Sequence, residues 1–181
     1  MNRMLKAKEI TRSLKEYRDV VGVMKTAFPE EEQTSVWLLR LFGLRKDMHF
    51  RAYYDERQFV GFSFVAATKA MAFILYIAVR PDLQSKGYGS RIAEAIQKDN
   101  ASRELSLNME SLDPAAENNG QRLRRYQFYL KNGFHDTGYR LLYRKVNYMI
   151  MSKPDNFHLA EYKKAMGRLG GMIGSKISRV Q

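Results

Sequence analysis

The spacing of apolar residues predicts a strand and two helices in the first part of the chain. Leu5–Ile10 is interpreted as a short strand, and apolar residues then recur every three or four positions across Tyr17–Phe28, which is typical of an amphipathic helix. Thr11 or Ser13 would cap that helix. A proline followed by three glutamates predicts a second helix over Pro29–Leu44. The glutamates could instead attract a cationic substrate, but the electrostatics of a helix start explains them more simply.

Strand patterns replace helical ones between His49 and Val79. Turn residues at Asp55–Gln58 and Thr68–Ala70 divide this stretch into three antiparallel strands. The last of them, Met71–Val79, is an almost uninterrupted apolar run, which is typical of a strand buried on both faces.

The remainder of the chain predicts an alternation of helices and strands. No repeat or linker marks a boundary, so we expect one domain over residues 1–181, with an α/β fold in which helices flank a mixed, mostly antiparallel sheet. Helices are expected at about Gly89–Lys98, Gln121–Asn132 and Asp155–Leu169, and strands at Leu105–Glu110, Thr137–Tyr143 and Val146–Met151.

Composition narrows the classes of protein. The fractions of 45% hydrophobic and 28% charged residues are typical of a globular protein. Without a long apolar run or a signal peptide, we expect a cytoplasmic protein with no membrane contact. The absence of cysteine excludes disulfides, thiolate zinc sites and a cysteine nucleophile. The histidines His49, His135 and His158 are not spaced as a metal pair, so no metal cofactor is expected.

The formal charge of +12 favours anionic ligands and weak association with nucleic acid. A basic surface that only keeps the protein soluble explains this charge equally well. Charge alone therefore does not choose a partner.

The segment Gln84-Ser85-Lys86-Gly87-Tyr88-Gly89-Ser90 lies between the buried strand and the next helix. Backbone N–H groups of such a loop and of the first helical turn point to one place, where the helix dipole adds positive charge. Gly87 and Gly89 would let a phosphate approach the backbone, and Lys86 and Arg91 would add charge. The segment lacks the third glycine of a dinucleotide fingerprint and the G-K-[ST] end of a P-loop. By themselves, two glycines before a helix are also typical of an ordinary tight turn.

Two motifs identify a family resemblance. Val79-Arg80-Pro81 followed by Gln84-Ser85-Lys86-Gly87-Tyr88-Gly89 resembles the V-x-P-x-x-Q/R-x-x-G-x-G/A signature of the GNAT superfamily of acyl-CoA N-acyltransferases. Phe128-Tyr129-Leu130-Lys131-Asn132-Gly133-Phe134 is similar to the family's aromatic-Tyr-x-x-x-Gly-Phe signature. The resemblance implies a GNAT-type fold and transfer of an acetyl group from acetyl-CoA to a primary amine by direct attack.

The resemblance also implies how acetyl-CoA is bound. Its pyrophosphate would lie on the loop Gln84–Ser90, and its pantetheine arm would pair like an added strand with the backbone of Ile77, Ala78 and Val79. The 3′-phosphate would meet a basic side chain, for which the candidates are Arg91, Arg122, Arg124 and Arg125.

Direct attack requires two proton transfers. Tyr129 resembles the family's general acid, which protonates the departing thiolate; without the resemblance it would be interpreted as a core tyrosine. Glu110, at the end of the fifth strand, is the candidate general base, since partial burial there would favour uptake of a proton. An exposed strand-end carboxylate is the alternative interpretation of Glu110, and water is the alternative base. His49 is a weaker candidate, because a single histidine at a strand start is more often structural.

The sequence departs from the family around the second motif. Arg122 and Arg125 stand seven and four residues before the tyrosine, where many relatives carry Asn and Ala, and asparagines occur earlier, at Asn118 and Asn119. The asparagine that usually contacts pantetheine is therefore missing from its usual place. The longer linker Ser111–Gly120 also predicts an enlarged loop near the acceptor entrance.

The acceptor is not predicted by the motifs: a polyamine, an aminoglycoside-like compound, a free amino acid and a protein amino group all fit. Two other functions use the same features, namely a CoA-binding sensor without activity and a basic module that holds RNA. The tail Gly167–Lys176 is expected to be a frayed terminus, although its Met and Ile could serve a homodimer contact.

Overall fold

A computed structural model of the protein describes residues 4–11, 13–28, 33–169 and 176–180. None of the helices in these ranges is long and apolar enough to cross a membrane. Within the same ranges the strands are β1 Lys6–Glu9, β2 Met48–Asp55, β3 Gln58–Ala67, β4 Met71–Val79, β5 Glu104–Glu110, β6 His135–Tyr143, β7 Val146–Lys153 and β8 Lys176–Arg179, and the helices are α1 Tyr17–Ala27, α2 Val36–Phe42, α3 Tyr88–Asp99, α4 Asn119–Lys131 and α5 Leu159–Arg168.

The eight strands follow the order β1-β2-β3-β4-β5-β7-β6-β8. β4 and β5 are parallel, and the β1–β2, β2–β3, β5–β7, β6–β7 and β6–β8 pairs are antiparallel. β3 and β4 form a hairpin, with a hydrogen bond from Thr68 N to Met71 O (2.7 Å) at one end and from Arg80 N to Val60 O (2.9 Å) at the other. The sheet is mixed and mostly antiparallel, which confirms the predicted fold class.

The chain divides into two compact units, one of Met1–Ala66 with Leu75–Ala101 and one of Ala67–Ile74 with Ser102–Gln181. β4 contributes its first residues to the second unit and its last residues to the first. The single catalytic domain expected from the sequence stays a prediction.

In the first unit, β2 and β3 carry an aromatic cluster on one face. The ring of Phe50 lies 5.8 Å from that of Phe62 and 5.6 Å from that of Phe64, measured between centroids. Gly43, at the end of α2, lies against this cluster, since a Cβ built there would be 3.2 Å from the Cβ of Phe50. All three phenylalanines are buried, so this cluster forms the core beneath α2.

The opposite face of β3 approaches β4 and α3 very closely at Gly61. A Cβ built at Gly61 would lie 2.1 Å from the carbonyl oxygen of Ala78 and 3.0 Å from Cδ1 of Ile92 on α3. A real Cβ does not approach a carbonyl oxygen so closely, because the overlap is strongly repulsive. Only glycine fits here, and its absence of a side chain lets α3 pack against the end of β4.

In the second unit, α5 is attached to β4 and β5 by one buried tyrosine. Tyr162 packs against Phe73, with ring centroids 5.7 Å apart, and its hydroxyl donates a hydrogen bond to Asn108 Oδ1 at 2.9 Å. Burial raises the pKa of Tyr162. At the start of α5, the carboxylate of Glu104 accepts hydrogen bonds from the backbone N–H (3.3 Å) and the ring Nδ1 (2.9 Å) of His158. β5 thus fixes both the start and the inner face of this helix.

The predicted start of the first helix is wrong. α1 begins at Tyr17 with Glu16 as its N-cap residue, and neither Thr11 nor Ser13 caps it. Leu14 N bonds to the carbonyl of Thr11 (3.2 Å) and Tyr17 N to that of Leu14 (3.0 Å). These two hydrogen bonds form turns between β1 and α1, so the helix begins only at Tyr17.

The second helix also begins later than predicted, at Val36. The side-chain amide of Gln33 donates to the carbonyl oxygen of Phe28 at 2.8 Å, and the hydroxyl of Thr34 accepts a hydrogen bond from a tyrosine of β4. Both contacts hold these residues outside a helix. The predicted helix start at Pro29–Glu32 lies outside the described residues.

At the carboxyl end of the chain, α5 begins at Leu159, later than predicted, because Glu104 binds the residue before it. Part of the predicted frayed tail, residues 170–175, lies outside the described residues. Lys176–Arg179 form β8, which pairs with β6 and was not predicted. The other helices and strands agree with the predicted ones to within four residues.

The close approach at Gly61 predicts that Gly61→Ala lowers the free energy of unfolding by more than about 2 kcal/mol, since the new methyl group overlaps the backbone of β4. Gly22→Ala in α1 is the control, because nothing lies within 4 Å of a Cβ there, and alanine should stabilise this helix by about 0.5–1 kcal/mol. Urea unfolding followed by circular dichroism measures both. Equal stability of the two variants would contradict the close approach.

Candidate active site

The loop after β4 has an unusual backbone conformation. A short 3-10 turn over Pro81–Leu83 leads into it, and the side chain of Leu83 is buried. Ser85 and Gly87 both have left-handed φ angles, 61° and 84°, and Gly87 is the N-cap residue of α3. A left-handed φ, as at Ser85, is rare for a residue other than glycine, and such residues are more frequent at functional sites.

This conformation leaves consecutive N–H groups without a backbone partner. Within the described part of the chain, the N–H groups of residues 85–90 form no backbone hydrogen bond of normal distance and angle, and the first that does is that of Arg91, to Gly87 O at 3.2 Å. No side chain caps α3. Because Gln84–Gly87 are exposed, these donors at the positive end of α3 are accessible to an anion. The predicted loop thus has the features of an anion site.

An ion pair that the sequence analysis missed holds the entry to this loop. Arg80 donates to both carboxylate oxygens of Asp82, at 3.0 and 2.8 Å, and to the carbonyl of Phe59 at 3.3 Å. The hydrogen bond from Arg80 lowers the pKa of Asp82. Lys86 Nζ donates to the carbonyl of Asp82 at 3.0 Å. The available signal was the pair of opposite charges on either side of Pro81.

Arg91 does not add free positive charge to the loop, which corrects that prediction. Its Nη1 donates to Asp55 Oδ2 at 2.7 Å, and the side chain is only 14% exposed. Tyr88 donates its hydroxyl to the same oxygen at 3.1 Å. The hydrogen bond to Asp55 raises the pKa of Arg91. Asp55 therefore compensates the charge of Arg91, and Lys86 is the basic residue within the loop itself.

The predicted pantetheine segment occupies the last part of β4. Ala78 is buried, and Ile77 and Val79 are half-buried. The parallel ladder with β5 joins Met71–Ile74 to Glu104–Leu107 and therefore ends before this segment. Pairing of the segment with an added strand stays a prediction.

Glu110 is held by two arginines of α4. It is only 7% exposed, its Oε1 lies 2.9 Å from Arg122 Nη2, and its Oε2 lies 2.5 Å from Arg125 Nη2. Asn118 Nδ2 adds a longer contact to Oε2 at 3.3 Å. The expected burial of Glu110 is confirmed, and the alternative of an exposed carboxylate is wrong. The spacing of two arginines on one helix face, three residues apart, was the missed signal for this network.

The same arginines explain the departure from the family pattern around the second motif. Arg122 Nε donates to Asn118 Oδ1 and its Nη1 to the carbonyl of Ser111, both at 2.8 Å. Arg122 thus ties the end of β5 and the start of α4 together. Arg122 and Arg125 therefore fix the linker and Glu110 in this chain.

Tyr129 lies at the carboxyl end of α4, in a helix end closed by the Gly-Phe pair of the second motif. Gly133 has a left-handed φ of 82°. Its N–H bonds to the carbonyl of Leu130 at 2.9 Å, and that of Phe134 to the carbonyl of Tyr129 at 3.0 Å, which is the Schellman pattern. The ring of Tyr129 packs against those of Phe134 (5.9 Å) and Phe128 (5.2 Å), measured between centroids. The second motif therefore has a structural role, because its glycine and phenylalanine fix the backbone and the ring of Tyr129.

The three histidines are dispersed. His49 lies on β2 opposite Val65, His135 pairs with Asp155 at 3.0 Å, and His158 with Glu104. In the part of the chain that the structure describes, no cluster of three or more His, Asp or Glu side chains could hold a metal ion.

Comparison with known proteins gives a consistent result. The family model described as "Acetyltransferase (GNAT) domain" matches residues 46–136, which include both motifs. An acetyltransferase of the GNAT family from Bacteroides thetaiotaomicron superimposes with a TM-score of 0.69 and 23% identity, over 91% of this chain and 94% of that one. Comparison with curated protein sequences gave no match.

Two further structures have the same fold. An aminoglycoside 6′-N-acetyltransferase complexed with coenzyme A has a TM-score of 0.63 and 17% identity, over 84% of this chain and 98% of that one. The ribosomal-protein-S18-alanine N-acetyltransferase from Escherichia coli has a TM-score of 0.60 and 16% identity, over 86% and 100%. Because the sequence identities are below 25%, these matches establish the fold alone.

The arginine network predicts that Glu110→Gln lowers the free energy of unfolding by about 2 kcal/mol, because two guanidinium groups lose their anionic partner. The loss in stability is moderate because Arg125 is 31% exposed and therefore partly hydrated. Glu117→Gln, on the exposed part of the linker, is the control and should change the stability by less than about 0.5 kcal/mol. Thermal unfolding of the two variants measures the difference, and a fully stable Glu110→Gln would mean that the network contributes nothing.

Proposed function

The chain belongs to the GNAT family of acetyltransferases, and on that basis we propose that it transfers an acetyl group from acetyl-CoA to a primary amine by direct attack. The observation that carries this proposal is the run of accessible N–H groups of residues 85–90 at the start of α3. The family match, residues 46–136, covers parts of both units of the chain.

We assign the pyrophosphate of acetyl-CoA to the loop formed by Gln84, Ser85, Lys86, Gly87, Tyr88, Gly89 and Ser90. A diphosphate accepts several hydrogen bonds at once, which suits consecutive N–H donors at a helix start. The pantetheine arm carries amide groups, and we assign it to the backbone of Ile77, Ala78 and Val79, which lies beyond the end of the β4–β5 ladder.

The arginines considered for the 3′-phosphate differ in their existing partners. Arg91, Arg122 and Arg125 each form an ion pair with a carboxylate. Arg124 is exposed and forms no ion pair within the described ranges. We therefore favour Arg124, since binding a phosphate would not require it to leave a partner.

In the reaction, the amine nitrogen forms a bond to the thioester carbonyl carbon, the C–S bond breaks, and CoA leaves as a thiolate. The thiolate gains a proton while the amine loses one. We assign the first transfer to the hydroxyl of Tyr129 as general acid. The Schellman helix end and the contact with Phe134 support this role, because a proton donor must be held in one position.

We assign the second transfer to Glu110, with water as the other candidate. Glu110 is a buried carboxylate at the end of β5, and it forms ion pairs with both Arg122 and Arg125. A base here would weaken two ion pairs when it took the proton. Water needs no such rearrangement, so the two candidates predict different effects of removing the carboxylate.

The acceptors in the names of the similar enzymes, an aminoglycoside and the alanine of a ribosomal protein, are both amines. This agrees with a primary amine as the acceptor class. A protein of this fold that binds acetyl-CoA but releases no thiol with any amine would instead be a sensor.

Ser90→Glu tests the anion site. Glutamate suits this position at a helix start, so the variant should be as stable as wild type, but its charge repels the pyrophosphate. We expect the Kd for acetyl-CoA, measured by calorimetry, to rise about tenfold or more. Ser102→Glu, in the exposed turn after α3, adds the same charge and should leave the Kd unchanged. Unchanged affinity in both variants, or no binding by wild type, would exclude the loop as the pyrophosphate site.

Tyr129→Phe tests the general acid. The phenylalanine ring keeps the contact with Phe134, so we expect kcat for CoA thiol release with a reactive amine to fall about 100-fold, with little change in KM for acetyl-CoA. Tyr126→Phe, which removes a hydroxyl from the same helix, is the matched control and should retain full activity. Full activity of Tyr129→Phe would assign the proton donation elsewhere.

In the same assay, a Glu110→Gln variant with an unchanged pH profile would assign the base to water.

A further inference from the structure

Three cationic side chains lie at one end of the sheet in the second unit. Arg144 and Lys145 form the turn between β6 and β7, and Lys176 begins β8. We call these three residues the cationic rim. All three are exposed, and within the described residues none of them forms an ion pair with a carboxylate.

The strand register places the cationic rim next to the end of β5. Glu110 pairs with Tyr148, and Ser111 N donates to the carbonyl of Asn147 at 2.8 Å. The turn residues lie two and three positions further along the hairpin, which is within about 10 Å of Ser111 at the usual rise per residue and strand spacing. Lys176 pairs with Leu142, which in turn pairs with Asn147, so it lies within about 15 Å.

The turn itself is strained. Arg144 and Lys145 both have left-handed φ angles, 47° and 67°. A two-residue turn of this type is normally built from Asn-Gly or another glycine pair, because these residues adopt positive φ easily. Large basic residues are unfavourable there, and strain of this kind is retained where the side chains have a function.

Other charges near the end of β5 do not offset the cationic rim. Glu110 is already paired with two arginines, and Arg124 adds a further exposed cation on α4. The acids of the adjoining linker are Asp113 and Glu117. Cations are therefore in excess at this end of the sheet, and the local potential is positive.

Buried polar atoms without partners concentrate at the same place. Of five such side-chain atoms in the described residues, three are Asn108 Nδ2, Ser111 Oγ and Arg125 Nε. Such atoms are normally satisfied by water or by a ligand. The end of β5 thus has unused polar capacity in addition to excess positive charge.

We propose that the acceptor is an amine flanked by carboxylates, such as the amino end of an acidic peptide, and that the cationic rim binds those carboxylates. The inference rests on the proposed function, in which the amine loses its proton beside Glu110, at the end of β5, to this carboxylate or to water. A polycationic amine would be repelled by the same charges. An acidic peptide is attracted, and its amino group is carried to Glu110.

The test uses three hexapeptides that begin with a free alanine amine and continue with acidic, basic or neutral residues. Fluorescence anisotropy in the presence of CoA measures binding of each peptide, and thiol release from acetyl-CoA measures transfer. At low salt the acidic peptide should bind at least tenfold more tightly than the neutral one, and this preference should decrease in 0.5 M salt.

The double variant Arg144→Asn, Lys145→Gly removes two charges and introduces the preferred turn sequence, so it should unfold at a temperature no lower than wild type. It should lose about tenfold in affinity for the acidic peptide. The control variant Lys69→Asn, Lys163→Asn removes two exposed charges elsewhere in the second unit and should keep the preference. The proposal is supported if only the Arg144→Asn, Lys145→Gly variant loses affinity for the acidic peptide. An unfolding temperature no lower than that of wild type would show that this loss is not caused by misfolding.

Equal binding of the acidic and neutral peptides would overturn the proposal. Tighter binding of a single-stranded RNA than of the acidic peptide, lost in the Arg144→Asn, Lys145→Gly variant, would overturn it as well and assign the cationic rim to nucleic acid. A preference for the acidic peptide in binding, without thiol release, supports the peptide surface and contradicts the proposed acetyl transfer. The two failures are therefore distinguishable.

Discussion

The N–H groups of residues 85–90 are the constraint on which the candidate site depends. A backbone donor without a partner is unfavourable unless water or a ligand satisfies it. Here an uncapped helix start and left-handed φ angles at Ser85 and Gly87 keep a whole run of donors open and accessible. A serine or aspartate at the N-cap position would have satisfied some of them internally. Glycine at that position leaves the positive end of α3 for an external anion.

Such a loop is useful only if the strand before it and the helix after it are held in place. Gly61 provides this on the sheet side, because the missing side chain lets the Ala78 carbonyl and Ile92 approach β3. The bonds of Arg80 to Asp82 and to the Phe59 carbonyl fix the exit from β4. The loop is therefore anchored at both ends by contacts within the first unit.

The parts of the fold that follow from local patterns were predictable from sequence. The strands from Met48 to Val79 and the helix α3 follow from alternation, turn residues and glycines, which act over a few positions. The starts of α2 and α5 could not be predicted from local patterns, because side-chain hydrogen bonds of Gln33 and Glu104 to other parts of the chain fix them. At the site, the loop and Tyr129 could be found from their motifs. The pairing of Arg91 with Asp55 could not, since these residues are far apart in the chain and meet only after folding.

The charges of the two units suggest how recognition of donor and acceptor is divided. Around the loop, Arg91 is compensated by Asp55 and Arg80 by Asp82, so an anion there is bound mainly by backbone donors. Backbone donors do not depend on side-chain identity, so surface substitutions that add no negative charge at the loop would leave donor binding largely intact. At the end of β5 the excess charge is carried by exposed side chains on a turn, which are free to change without affecting the core. Under the proposed function, acceptor choice can therefore evolve at the cationic rim while acetyl-CoA binding stays constant.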